Sequence, residues 1–126
     1  MSYLSKDPVP PDTALVAPTL LRSDALAALY AEAQAGRIPR EEAAARLDRL
    51  RALRIRLLGD RVAQAWAWRI ADALGWDDTR PAEYVAVAKL QADVLITDDA
   101  ELAEAAQAWT PTAPLSSLTR PGTQLR

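Results

Sequence analysis

The chain has 126 residues, half of them apolar, carries a net charge of −2 and contains neither cysteine nor histidine. That size suits one small domain with a modest core, and the missing residue types exclude disulfides, Cys/His zinc sites, thiol nucleophiles and imidazole bases. Chemistry must rest on carboxylates, hydroxyls, Lys, Arg or a hard metal held through oxygen, and the small negative charge gives no overall attraction to nucleic acid.

Residues 1–12 include Pro8, Pro10 and Pro11 and read as an extended lead. Thr13 to Ala17 is a short apolar run stopped by Pro18, which predicts a buried strand. A helix is expected from Thr19 to Ala35, with an apolar stripe through Leu20, Leu21, Ala25, Ala28, Leu29 and Ala33 and Gly36 as its stop. A second runs from Pro39 to Ala52, because Pro39, Glu41 and Glu42 all favour a helix N-terminus. Arg54 to Leu58 alternates Arg with apolar residues and predicts a strand ended by Gly59.

Asp60 can cap a third helix whose Val62, Ala65, Trp66, Arg69, Ile70 and Ala73 recur at helical spacing until Gly75 stops it. Trp66 and Trp68 are read there as packing residues. Asp77 and Asp78 belong to a turn, and Pro81 to Gln91 is the fourth helix. Asp93 to Thr97 is a strand, Asp98 or Asp99 opens a helix ending near Gln107, Trp109 to Pro114 could form a last strand, and residues 115–126 read as a tail. Alternating strands and helices imply an α/β domain over residues 13–114 with a mostly parallel sheet flanked by helices in three layers. No segment reaches the roughly 20 apolar residues of a membrane-crossing helix and no signal peptide is visible, so a cytoplasmic chain without membrane partners is expected.

The arginines outnumber the lysines, 13 against Lys6 and Lys89, and Arg46, Arg49, Arg51, Arg54, Arg56 and Arg61 fall in one span. That span is either a solvated helix face or a phosphate-binding one. The acids also have two readings. Asp98 and Asp99 stand where a strand gives way to a helix, outside the carboxyl end of the sheet, where ligands of open α/β folds sit. Asp98 with Glu101 resembles a capping box, leaving Asp99 in the first turn. Asp24 lies among Leu20, Leu21, Ala27 and Ala28, either at the edge of the buried stripe or in a cleft that needs a charge. Asp12 and Glu83 complete the set. Converging acids of this kind form an oxygen-only site for Mg²⁺ or Mn²⁺, which can activate water and stabilise both oxygens in phosphodiester cleavage. There is no Walker loop or glycine-rich phosphate cradle.

Ala17-Pro18-Thr19-Leu20-Leu21-Arg22-Ser23-Asp24, Ile55 to Asp60, Ala82-Glu83-Tyr84-Val85-Ala86-Val87-Ala88 and Ala92 to Asp99 together resemble the PIN domain, the fold of VapC-type toxin ribonucleases. The resemblance covers residues 13–114 in order. It implies a metal-dependent endoribonuclease lineage, with Mg²⁺ or Mn²⁺ as cofactor, RNA as substrate and an antitoxin protein as partner. Asp24 matches the family's second acid, which is usually Glu. Asp99 matches the acid of Thr-x-Asp, with Asp98 as an extra neighbour, so Asp24, Asp98 and Asp99 are the implied metal ligands and Asp24, Glu83 and Asp99 the implied catalytic set.

Two acids of the pattern are missing. Pro81 stands where the third is expected, and Glu83, two residues on, is rotated by roughly 200° on a helix. The central first strand with its Asp is also missing, because the Pro-rich residues before Thr13 do not suit a central strand. This leaves a chain shortened at its start, a degenerate relative, or a strand supplied by another chain. Activity is expected to be weak or lost. The alternative is a non-catalytic binding or assembly module, either an antitoxin-binding remnant or a strand-sharing homo-oligomer. A further alternative, an unrelated α/β protein whose acids only cap helices, predicts that Asp24 and Asp99 lie far apart.

Overall fold

A computed structural model describes residues 13–119. Residues 1–12, including the Pro-rich lead and the candidate Asp12, and most of the expected tail lie outside the described residues. The order is β1 (Leu15–Pro18), α1 (Leu21–Gln34), α2 (Arg40–Ala52), β2 (Ile55–Leu58), α3 (Arg61–Leu74), α4 (Arg80–Gln91), β3 (Leu95–Ile96), α5 (Ala100–Ala106), β4 (Thr112–Ala113) and α6 (Leu115–Thr119). The class is α/β. The strands form two parallel pairs, β1 with β2 and β3 with β4, rather than one continuous sheet.

Local signals set most helix ends. The Asp60 carboxylate accepts a hydrogen bond from the Ala63 N–H at 2.9 Å and caps α3, supplying a partner for one of the donors a helix start leaves open. Gly75 ends α3 in the left-handed region at φ 67°, where a Cβ would be strained. Pro39 precedes α2, and Pro81 sits in the first turn of α4, where no N–H is required. Leu115–Thr119, expected as tail, is instead a short helix, held at its start by the Asp98 carboxylate, which accepts from the Leu115 N–H at 2.8 Å.

Three apolar clusters hold these elements together. The largest joins Ala67, Ile70 and Ala71 of α3 to Ala82, Val85 and Ala86 of α4, together with the buried Leu95 and Ala106. Alanines on both helices let the backbones approach closely, and α3 and α4 form the most extensive pairing of elements among the described residues. A second cluster places Ala17 of β1 against Leu21, Ala25 and Leu50, and a third joins Leu15 to Ile96. Leu95 and Ile96, adjacent in β3, thus belong to different clusters, as the two-residue period of a strand buried on both faces requires. Tyr84 packs against both of the first two clusters.

Half of the arginine span, Arg46, Arg49 and Arg51, lies on α2 and is ion-paired there. On α2, Glu42 pairs with Arg46 at 3.0 Å and with Arg49 at 3.4 Å, and Asp48 pairs with Arg51 at 2.8 Å. Trp66 packs as expected, with the cations of Arg69 and Lys89 at 5.1 and 4.7 Å from its ring centre. Trp68 does not: it is 70% exposed, because it lies on the outer side of α3, away from α4.

The hydrogen bonds show which strand edges are used. The Thr19 N–H donates to the Leu58 carbonyl, and those of Leu95 and Thr97 donate to Pro111 and Ala113. Backbone groups alternate sides along a strand, so those of Val16, Pro18, Val94 and Ile96 point away from β2 and β4. Pro18 therefore stands in β1 where its missing N–H interrupts no existing ladder bond.

Candidate functional site

Asp24, Asp78, Arg80, Pro81, Tyr84, Thr97, Asp99 and Leu102 line one cleft. It lies where the segments that follow β1 and β3 meet the start of α4. Asp24 and Asp99, 75 residues apart in the chain, are thus brought to a common surface. Asp24 belongs to the first turn of α1 and accepts a hydrogen bond from the Tyr84 hydroxyl at 2.7 Å. A half-buried carboxylate at the margin of an apolar stripe gains a donor in this way and avoids an uncompensated charge.

Asp99, not Asp98, is the N-cap of α5. Its carboxylate accepts from the Leu102 N–H at 3.1 Å, and its own N–H donates to the buried Thr97 hydroxyl oxygen at 3.1 Å. The expected roles are therefore displaced by one residue. The helix begins at Ala100, so the third helical residue, whose N–H a cap must reach, is Leu102, and Asp98 is left free to hold Leu115. Asp98 does not line the cleft.

Glu83 does not line the cleft either, in keeping with its rotation from position 81. It is close enough to sense the site: burial, followed by the negative charges of Asp24 and Asp78, raises its pKa above the usual glutamate value. Position 81 does line the cleft, and a second cleft with Trp76, Asp77 and Asp99 on its other side, but its residue is a proline with no oxygen to offer.

Asp78 and Arg80 reach the site without having been expected there. Asp78 forms the anticipated turn, accepting from the Arg80 N–H at 2.9 Å, and it also grips the Arg80 guanidinium at 2.6 and 3.0 Å. That hydrogen-bonded pairing lowers the Asp78 pKa and raises that of Arg80, to which Asp24 and Glu83 also contribute. No spacing rule links residue 78 to residue 24 or 99. Only the fold of the turn onto α4 brings it there.

The cleft thus holds three carboxylates against one guanidinium. Among the described residues, no group of three or more acids is placed to hold a metal ion. The cause is visible in the donors: Asp98 faces α6, Asp78 is engaged by Arg80, and Pro81 offers nothing. Of the implied ligands Asp24, Asp98 and Asp99, the structure brings Asp24 and Asp99 to one cleft and turns Asp98 toward Leu115. No helix among the described residues is long and apolar enough to cross a membrane. Comparison with protein-family models, curated proteins and solved structures returned no match.

Proposed function

We propose that this chain is a PIN-like domain of the metal-dependent ribonuclease lineage whose acidic cleft is depleted, so that RNA cleavage is weak or lost. The observation that carries this reading is the cleft itself. Asp24 and Asp99 follow two different strands, meet at one surface and are joined there by Thr97, the order and spacing that the resemblance implies. Asp24 is moreover not a cap: it lies within the first turn of α1 and its carboxylate accepts from Tyr84 instead of from a helix N–H. The depletion rests on Pro81, which stands on the cleft wall where an acid is expected, and on Arg80, which neutralises Asp78.

In a completed site, held by Asp24, Asp99 and one further acid, Mg²⁺ or Mn²⁺ would supply the activated water and charge stabilisation of phosphodiester hydrolysis. Asp24 and Asp99 are the residues of this chain that an added acid could complete. The decisive experiment is a gain of function. Pro81→Asp should bind Mn²⁺ about tenfold more tightly than wild type, as one added carboxylate ligand can provide, and should cleave RNA in an EDTA-sensitive manner. Adding Asp99→Asn should abolish both gains. Asparagine remains a good N-cap, so this change tests the carboxylate without removing the start of α5. Cleavage by wild type that is unaffected by EDTA and by Asp99→Asn would overturn the reading, as would unchanged Mn²⁺ affinity in Pro81→Asp.

A further inference from the structure

The two parallel strand pairs leave a slot between them. Residues 14–18, containing β1, form one wall and residues 93–96, containing β3, the other, and Tyr84, Val87 and Ala88 of α4 form the floor. Among the described residues, β1 and β3 each pair on one side only. The backbone groups of Val16, Val94 and Ile96 point away from those partners, toward the slot. Asp24, which follows β1, and Thr97 and Asp99, which follow β3, line one cleft, as two strands running in the same sense would place them. The slot therefore offers two parallel ladders at once, over an apolar floor. Its downstream end opens at Tyr84 onto the cleft of Asp24, Asp78 and Asp99, where Arg80 offsets one charge of three.

We propose that this slot binds an extended segment of a partner polypeptide as a strand parallel to β1 and β3, apolar over about four residues and followed by Lys or Arg. Each feature has its own cause. Two facing strand edges are satisfied by backbone from one inserted strand, the mode of recognition by strand addition. The apolar floor of Val87 and Ala88 selects apolar residues on the face that meets it. The net negative charge at the downstream end selects a cation there and disfavours an acid. None of this draws on the ribonuclease lineage, and the binding test is separate from RNA cleavage.

The test uses the full chain and a fluorescein-labelled peptide Ser-Val-Ile-Val-Val-Lys-Lys, followed by fluorescence anisotropy and by hydrogen exchange at Val16, Val94 and Ile96. Saturable binding is expected, with exchange at those three amides slowed on addition of peptide. Four controls should each weaken binding at least tenfold: N-methylation of alternate peptide amides, Asp-Asp in place of Lys-Lys, the two lysines moved to the front, and Asp24→Asn combined with Asp99→Asn in the protein. Absence of binding overturns the proposal, and so does equal binding of the N-methylated, acidic or reversed peptide. Amides already protected in the chain alone would show that the slot is filled by the chain itself or by a second copy, and would overturn it as well.

Discussion

Glu83 is the residue whose electrostatics are most readily measured. Its pKa is raised above 4.5 by burial and by the nearby charges of Asp24 and Asp78, so the folded state holds this proton more firmly than the unfolded chain does. Stability from this group is fully present below 4.5 and is lost as the pH rises through the raised value. Glu83→Gln should accordingly be more stable than wild type at pH 7, by no more than about 0.5 kcal/mol for a group at the margin of the surface. It should also flatten the dependence of urea midpoint on pH between 4 and 7. Parallel curves for the two proteins would refute this account. The same region shows why single residues were hard to read from sequence. Asp98 and Asp99 are chemically identical, and one residue of helix phase decides which caps α5 and which caps α6. Asp78 was legible as a turn former, but its arrival beside Asp24 was not.

At the scale of elements, the chain was most legible where structure is local. Asp60, Gly75, Pro39 and Gly36 bound their helices as expected, because caps and stops depend on neighbours in sequence. Strand length is a different matter. The run from Asp93 to Thr97 pairs over only Leu95 and Ile96, since pairing depends on what lies alongside. The short α6 was missed because Leu115-Ser116-Ser117 has no apolar stripe and is organised by a carboxylate 17 residues away. The α3–α4 pairing should dominate stability. Ile70 is fully buried there, and Ile70→Ala should cost about 2–5 kcal/mol, since closely approaching helices collapse poorly around a cavity. Chemical denaturation would measure it. A loss well under 1 kcal/mol would mean that the seam is far looser than its burial indicates.

For the whole molecule, the expectation of an α/β class held, while the single flanked sheet is replaced by two strand pairs. These pairs are bridged rather than independent. α4 packs against both β1 and β3, and Tyr84 touches two of the three apolar clusters. Unfolding should therefore be one cooperative event. Fluorescence of Trp66, Trp76 and Trp109, which pack against the α3–α4 cluster, should change at the same urea concentration as the far-ultraviolet circular dichroism of the whole chain. Two separated transitions would show that α4 does not couple the halves.

Pro18 bears on how such a molecule behaves at high concentration. An open strand edge templates the stacking of identical chains into fibres, and each added copy needs an unbroken row of donors. Pro18 removes one donor from the open side of β1 at its downstream end. That side faces β3 across the slot, so a single inserted strand meets the gap once, at its last residue, and leaves no free edge there on which a further copy could stack. The opposing wall and the proline thus act together on colloidal behaviour, both disfavouring growth by repetition relative to capture of one strand.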